Sequence, residues 1–319
     1  MNDVKSRLLP AVDAIASPFV QVSAWLLGKV RLWGVERMPR SKRALLRAGV
    51  FPIRNHYYEP QFDFSGRDPI RSPERLLPGI EWNVSGQTAL LETLSFADEL
   101  SDMPLEKPDT LRFYLNNGWF EGGDAEVWYQ LLRLKKPKRV FEIGSGHSTL
   151  LALEAIRRNQ EEDPAYQCKH LCVEPYERRW LEETKVTVVR KKVEEIGTEY
   201  FSELEANDFL FIDSSHIIRP EGDVLFEYLE LLPSLKTGVI VHIHDIFSPR
   251  NYPDTWLFDR VTFWNEQYLL EAFLTHNTCW HVLASVNYLH HNHSEKLKEI
   301  APFVTPETEP GSFYIQKHS

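Results

Sequence analysis

Hydrophobic and polar positions follow two different patterns along the chain, and the change between them falls near residue 111. From there to residue 319, short runs rich in β-branched and aromatic residues alternate with longer stretches of helical periodicity. This alternation is typical of a parallel sheet with helices on both faces. The predicted strands are Arg139–Ile143, His170–Glu174, Val186–Arg190, Phe209–Asp213, Val239–Ile243, Cys279–Val286 and Ser312–Gln316.

Residues 255–277 lie between the fifth and sixth predicted strands and show the periodicity of a helix. Their apolar residues recur every three or four positions, which predicts one continuous helix facing the core. The positions that carry this pattern are Leu257, Val261, Trp264 and Tyr268.

The chain before residue 111 keeps neither pattern for long. Residues 8–30 are mostly apolar, but Asp13, Gln21 and two prolines interrupt them, so no unbroken stretch reaches the roughly 18 apolar residues of a membrane span. We expect no span, while an interfacial helix or a contact with a partner subunit stays open. Residues 55–110 are rich in Pro, Asp and Arg and predict an irregular connector or lid. The expected organisation is an N-terminal arm (1–54), this connector (55–110) and one α/β domain (111–319).

Charge is distributed unevenly. The chain of 319 residues carries a net charge of -10, but residues 1–54 hold ten Lys and Arg against three acids, which gives +7 there and -17 elsewhere. The arm is therefore expected to meet an anionic membrane surface, a nucleic acid or the acidic body of its own protein. Three cysteines are too few for a disulfide framework, so a reducing compartment, the cytoplasm, is expected.

The stretch "RVFEIGSGHSTLLALEAI" joins a strand, a glycine turn and an amphipathic helix. Gly144 and Gly146 permit a tight turn and the close approach of a ligand, and Ser148 or Thr149 can cap the helix. The dinucleotide fingerprint needs Gly or Ala where Thr149 stands, which argues against NAD.

The next strand ends in "VEP", which places Glu174 at its carboxyl end. An acid there can accept hydrogen bonds from both hydroxyls of a ribose. The alternative is a structural acid that caps a helix near Pro175.

Together, "EIGSG" and "VEP" resemble the first two strand ends of class I S-adenosylmethionine-dependent methyltransferases, and "GGDAEVWYQLL" resembles a segment of the metal-dependent catechol and macrocin O-methyltransferase-like group. The resemblance covers roughly residues 111–319. It implies a Rossmann-like, seven-stranded methyltransferase sheet with an N-terminal helical or irregular extension. It also implies S-adenosylmethionine as cofactor, bound by Gly123, Asp124, Glu142, Gly144, Ser145, Gly146, Ser148, Glu174 and Asp213, with Val193 beside the adenine.

Strands four and five are neighbours in that fold, so the end of "FLFID" should meet the end of "VIVHIHD". We expect a divalent cation held by Asp213, His244 and Asp245, since it would offset the cost of placing these groups at the mouth of a buried sheet. Carboxylates suit Mg²⁺, whereas the imidazole also admits Mn, Fe or Zn. His242, earlier in the strand, is expected to be structural.

His216 stands three residues after Asp213, where the resembled families place a base. With Asp213 as its catalytic partner, its imidazole would take the proton of a metal-bound hydroxyl that attacks the methyl group of the cofactor. The alternative for His216 is a loop histidine that caps the helix at Pro220.

These observations favour metal-assisted O-methylation of a small molecule or glycan. One alternative is a metal-dependent oxygenase or hydroxylase on the same fold, and another is a membrane- or partner-binding protein with a vestigial cofactor fold. No nucleic-acid partner is expected for the enzyme. The sequence leaves open the acceptor, a homo-oligomer and peripheral membrane contact by the arm.

Overall fold

A computed structural model describes residues 2–56, 58–61, 74–176 and 179–318. The chain divides into two compact units, Met1–Asp68 and Pro69–Ser319. Residues 57 and 62–73 of the predicted connector lie outside the described part, and the predicted domain boundaries stay predictions.

The second unit contains a seven-stranded sheet in the order β3-β2-β1-β4-β5-β7-β6. Strands β1 to β5 run parallel, and β7 pairs antiparallel with both β5 and β6. All seven predicted strands are present, each within two residues of its expected ends, and the predicted fold class is confirmed. The strands are β1 Arg139–Ile143, β2 Lys169–Val173, β3 Thr187–Val189, β4 Phe209–Ile212, β5 Ile240–Ile243, β6 Trp280–Ser285 and β7 Phe313–Lys317.

Helices account for most of the remaining regular structure. The α-helices are α1 Asn2–Trp33, α2 Pro39–Ala48, α3 Val84–Thr93, α4 Ala97–Leu100, α5 Asp124–Lys135, α6 His147–Glu162, α7 Asp223–Phe226, α8 Leu232–Ser234, α9 Glu266–Leu274, α10 Val286–Asn292 and α11 Ser294–Ile300. A π-helical turn, Glu227–Leu231, joins α7 to α8, and another covers Thr255–Asp259. Short 3₁₀ turns cover Val35–Arg37, Arg179–Glu183, Val193–Glu195 and Thr198–Phe201.

Strand alternation divides the core into two layers, one on each face of the sheet. Phe209 and Phe211 of β4 join the layer that contains Trp128 of α5, whereas Leu210 and Ile212 join the opposite layer. Trp128 is fully buried, and its ring centroid lies 5.3 Å from that of Phe209 and 5.6 Å from that of Phe211. Helix α5 is thereby fixed against the centre of the sheet.

The predicted irregular connector contains ordered helices in its second half. Helices α3 and α4 both lie within residues 55–110, and their buried side chains join the core. These side chains stand at helical spacing over too short a stretch to outweigh the neighbouring Pro and Gly residues in a sequence-based prediction. They are Leu90, Leu91, Leu94 and Leu100.

The prediction of one core-facing helix over residues 255–277 is wrong. The segment is a π-helical turn, an irregular stretch and then α9, which begins only at Glu266. Val261 has φ +54° and 43% exposure, and Tyr268 is 38% exposed. Helix α9 itself faces the core through Leu270 and Leu274, and it also buries the polar residues Glu266 and Gln267 at its start.

In the first unit, α1 is a single helix of 32 residues that continues through Pro10 and Pro18. Its segment Leu8–Trp33 is long and apolar enough to cross a membrane by length and composition. The helix is continuous through both prolines, and the expectation that no membrane span is present stays a prediction.

Replacement of Trp128 by Ala should lower the free energy of unfolding by about 3–5 kcal/mol, because it empties a large fully buried site between α5 and β4. Urea denaturation measures the loss. The matched control is Trp119→Ala: Trp119 is 74% exposed, so the same change there should stay within about 0.5 kcal/mol. Equal losses in the two variants would contradict the packing described.

Candidate active site

The loop that follows β1 is shaped by a very close approach of two backbones. Gly144 has φ +82°, and a Cβ at this position would lie 2.0 Å from the carbonyl oxygen of Asp213. The amide of Gly144 donates to the Val173 carbonyl at 3.0 Å, and the Asp213 amide donates to the Ile143 carbonyl at 2.9 Å. Only glycine meets both the dihedral and the steric requirement at Gly144.

Glu142 holds this loop from below. Its carboxylate accepts hydrogen bonds from the hydroxyls of Ser148 (3.1 Å) and Thr149 (2.9 Å) and pairs closely with His170 Nε2. Glu142 is fully buried and does not line the cavity above the loop, whereas Ser148 does. The structure thus places Glu142 as a support of the loop, and its predicted direct contact with a cofactor stays a prediction.

Glu174 stands where β2 ends, at the junction of two neighbouring cavities. Its carboxylate accepts from the amides of Ser145 (3.3 Å) and Tyr176 (3.2 Å). One cavity, of about 380 Å³, extends over Gly144–Ser148 to the ends of β4 and β5. The other, of about 250 Å³, is bordered by Lys192, Val193 and Glu194. We refer to the two together as the main cleft.

The ends of β4 and β5 bring three ionisable side chains together. His216 Nε2 lies 3.1 Å from Asp213 Oδ1 and 3.5 Å from Asp245 Oδ2. One ligand atom from each of the three lies within 4.8 Å of the others, which is a spacing able to hold a metal ion. His216 and Asp245 both have positive φ, +60° and +59°. Such strained backbones persist where the surroundings fix them, and they cluster at functional sites.

Two residues that the sequence analysis did not single out hold the other side of His216. Glu266 Oε2 lies 2.8 Å from His216 Nδ1, and the Tyr228 hydroxyl donates to Glu266 Oε1 at 3.0 Å. The ring of Trp264 covers the imidazole with a centroid distance of 4.2 Å. Glu266 was missed because residues 255–277 were interpreted as one helix. The available signal was Asn265–Glu266, a polar pair suited to begin a new helix.

His244 lies on the other side of the two aspartates. Its Nδ1 is 3.7 Å from Asp213 Oδ1 and 3.5 Å from Asp245 Oδ1, and its Nε2 is 3.5 Å from Asp124 Oδ2. Neither ring nitrogen has a hydrogen-bond partner among the described residues, although both are buried. His244 thus borders the same group as His216 but less closely, and its predicted role as a ligand stays a prediction.

Asp124 and Gly123 lie beside this group, not in the main cleft. Asp124 accepts hydrogen bonds from the amides of Gly311 (3.0 Å) and Ser312 (2.7 Å). Gly123 has φ +88° and packs against Pro310. Both residues fix the start of α5 against the segment that leads into β7, and their predicted contact with a cofactor stays a prediction.

Burial and the attraction between neighbouring side chains act in opposite directions on the charges of this group. Burial disfavours the ionised form of Asp213, but the neighbouring His216 and His244 outweigh it and lower the pKa of this carboxyl. Burial also opposes charge on the two histidines, yet the surrounding carboxylates raise the pKa of both well above the ordinary value. Burial raises the pKa of Asp245. A cation bound here would take over the role of the two imidazolium charges.

His242 has the structural role that was predicted for it. Its Nε2 lies 2.8 Å from the Ser312 hydroxyl, its ring stacks on Tyr314 with centroids 4.2 Å apart, and burial holds its pKa well below the ordinary value. It lies on the same sheet face as His244, one step deeper in the core.

A wider cavity of about 720 Å³ opens beside Asp245 and Asp124. Three indoles border it: Trp119, Trp256 and Trp264. The rings of Trp256 and Trp264 meet edge to face at 5.2 Å, and the guanidinium of Arg260 lies 5.7 Å from the Trp256 ring. Aromatic faces of this kind bind flat or apolar surfaces of a ligand.

Comparison of the sequence with known proteins finds similarity to methyltransferases. Residues 141–246 match a family model described as "Methyltransferase domain". The match covers about a third of the chain and agrees with the predicted resemblance to S-adenosylmethionine-dependent methyltransferases. An uncharacterized protein of Archaeoglobus fulgidus is 27% identical over 145 residues, which covers 43% of this chain and 63% of that protein.

Solved structures show more distant similarity. The plantazolicin methyltransferase BpumL, in complex with SAH, has a TM-score of 0.36 at 15% identity, covering 62% of this chain and 83% of its own. An O-methyltransferase from Bacillus cereus, in complex with SAH, has a TM-score of 0.36 at 11% identity, covering 74% and 98%. A structure described as "cmcI-D160 Mg-SAM" also gives 0.36 at 11% identity, covering 68% and 88%.

Replacement of Gly144 by Ala should lower the free energy of unfolding by about 2 kcal/mol or more, because the new methyl group would collide with the Asp213 carbonyl at a positive φ. Gly146→Ala in the same loop is the control. A Cβ there has nothing within 4 Å, so stability should change little. Thermal and urea unfolding of both variants measure the difference, and a tolerated Gly144→Ala would contradict the described loop.

Proposed function

We propose that this protein transfers a methyl group from S-adenosylmethionine to a hydroxyl of a small molecule or glycan, assisted by a divalent cation. The observation that carries the proposal is one continuous cleft. The glycine loop and Glu174 border one part of it, and Asp213, His216 and Asp245 border the other. A donor bound along the loop would therefore present its reactive end to the ionisable group.

The main cleft fits the cofactor in shape and polarity. Glu174 offers a carboxylate at the strand end where a ribose would lie, and Val193 offers a buried apolar contact for a base. The loop leaves open space above Gly146. When bound, S-adenosylmethionine supplies an electrophilic methyl group on a sulfonium. The residues of the chain bind and orient it, and proximity contributes much of the rate.

The ionisable group fits a cation. Donor atoms that share an octahedral ion at about 2.1 Å lie roughly 3 Å apart, close to the 3.1 and 3.5 Å that separate His216 Nε2 from the two aspartates. We propose Asp213, Asp245 and His216 as the protein ligands, so that His216 takes the place first predicted for His244. The cation supplies a Lewis acid that lowers the pKa of an acceptor hydroxyl. The two carboxylates suit Mg²⁺ or Mn²⁺, and the imidazole also admits Fe or Zn.

Glu266 determines which nitrogen of His216 faces the cleft. Because the buried Glu266 carboxylate is 2.8 Å from Nδ1, the proton of a neutral imidazole stays on Nδ1. With a cation in place of the Nε2 proton, Nε2 would present its lone pair to that cation between Asp213 and Asp245. The carboxylate behind the ring fixes its orientation, and the lone pair on Nε2 can serve either as a ligand or as a base. When Nε2 binds the cation, the proton of the acceptor hydroxyl would pass to solvent beside Asp213, whose side chain is 38% exposed.

The wider cavity with its three indoles is the proposed acceptor site. It reaches Asp245 and Trp264, both of which also border the main cleft. An acceptor that stacks on these indoles would bring a hydroxyl to the cation. The indoles would also exclude water, which limits competing reactions.

The first test is calorimetry with S-adenosylhomocysteine as the ligand. Glu174→Ala should weaken binding on the order of 10- to 100-fold, because it removes charge-assisted hydrogen bonds to the ribose. Glu183→Ala, an exposed acid of the neighbouring 3₁₀ turn, is the control and should bind as the parent does. Unchanged binding in Glu174→Ala would contradict the ribose assignment.

The second test is calorimetry with MgCl₂ and with MnCl₂. Asp245→Asn and His216→Gln should each lower the affinity at least 10-fold, because each removes a ligand, and chelator should abolish methyl transfer in the parent. His281→Gln, on the outer strand β6, is the control. A larger loss in His244→Gln than in His216→Gln would restore the ligand set first predicted. Iron in the purified protein together with oxygen consumption would favour the hydroxylase alternative.

A further inference from the structure

Helix α1 exposes an apolar surface for which the first unit provides no cover. Nine large apolar side chains between residues 8 and 26 are each more than half exposed, in contrast to the buried Val30 near the end of the helix. An exposed apolar surface of this extent marks a site of interaction with another apolar phase. The nine are Leu8, Leu9, Val12, Ile15, Phe19, Val20, Val22, Trp25 and Leu26.

We propose that α1 is a single membrane span that anchors the catalytic unit to the cytoplasmic face of a bilayer. Within the apolar segment Leu8–Trp33, residues 8–28 precede the basic flank, and these 21 residues span about 32 Å at 1.5 Å per residue. A hydrocarbon core is about 30 Å thick, so the helix can cross it with a tilt. This inference is independent of the reaction proposed above, and it replaces the expectation from sequence that no span is present.

A spanning helix fits the side chains better than a helix that lies on the membrane surface. A surface helix needs a strongly charged face opposite its apolar one. Between Leu8 and Gly28, Asp13 is the one charged residue, and residues 14–28 carry no charge at all. Pro10 and Pro18 are compatible with a span, because prolines are frequent in transmembrane helices.

The residues that follow the span determine its orientation. Basic residues are concentrated between the end of α1 and the end of α2, and loops with such an excess stay in the cytoplasm. Trp25 and Trp33 stand near this end, where indoles are enriched at the interface with lipid head groups. The ammonium of Lys29 lies 5.8 Å from the Trp25 ring. The basic residues are Lys29, Arg31, Arg37, Arg40, Lys42, Arg43 and Arg47.

Helix α2 extends the same surface chemistry. It is amphipathic, none of its residues is buried within the first unit, and its polar side is basic. Basic helices next to a span bind anionic head groups of the cytoplasmic leaflet. The unit that follows α2 in the chain would then work in the compartment where S-adenosylmethionine is made.

The test uses the full chain expressed in a bacterial host, with isolated membranes washed in alkaline carbonate. We expect the protein to stay in the membrane pellet after the wash and to enter solution only with detergent. Mass spectrometry should find residues 8–28 still attached. Three results would each overturn the proposal. Protein in the soluble fraction would point to a protein partner for α1, and release by carbonate would point to a helix on the membrane surface. Loss of residues 8–28 would point to a cleaved signal.

A matched pair of variants separates anchoring from folding. Ile15→Arg combined with Phe19→Arg places two charges on side chains that are 71% and 72% exposed, so the protein should move to the soluble fraction with its thermal unfolding unchanged. Leu46→Arg, on the 59% exposed Leu46 of α2, should stay in the membrane. Retention of the double variant in carbonate-washed membranes would contradict a span through α1.

Discussion

The contact between Gly144 and the backbone of Asp213 is the constraint on which the rest of the site depends. Because no Cβ can stand at Gly144, the turn after β1 lies directly against the end of β4. The amide of His244 donates to the Ile212 carbonyl at 2.9 Å and extends the ladder by one residue past β5. One glycine thus joins the loop that would hold a nucleoside to the strand ends that carry the ionisable group.

The second constraint is the free-energy cost of burying polar side chains on one face of the sheet. Glu142, His170 and His242 point into the layer that contains Trp128, where an unpaired polar group is costly. Each has a specific partner: Glu142 pairs with His170 and two hydroxyls, and His242 pairs with Ser312. His244 on the same face has none among the described residues. His244 is therefore the side chain in this comparison whose ring nitrogens the described residues leave without a hydrogen bond.

The sequence predicted what depends on local pattern and on parallel topology. Alternation located all seven strands, and strand order brought Asp213 and Asp245 to one edge. The sequence could not predict the pairing of Glu266 with His216. The two residues are 50 positions apart, and the loop that brings them together has no regular pattern. The periodicity of residues 255–277 predicts one helix, whereas the structure ends the π-helical turn at Asp259 and begins α9 only at Glu266.

The loop at His216, where the backbone has positive φ, links the main cleft to the wider cavity. The amides of Asn265 and Glu266 donate to the His216 carbonyl at 3.0 and 3.1 Å, which holds its backbone at positive φ. The same short stretch carries Trp264, which covers the His216 ring and also borders the wider cavity. The position of Trp264 is therefore linked to that of the imidazole through both the ring contact and the backbone. Glu266 and Tyr228 are fully buried behind the imidazole, so close packing limits how far the His216 ring can move away from Asp213 and Asp245.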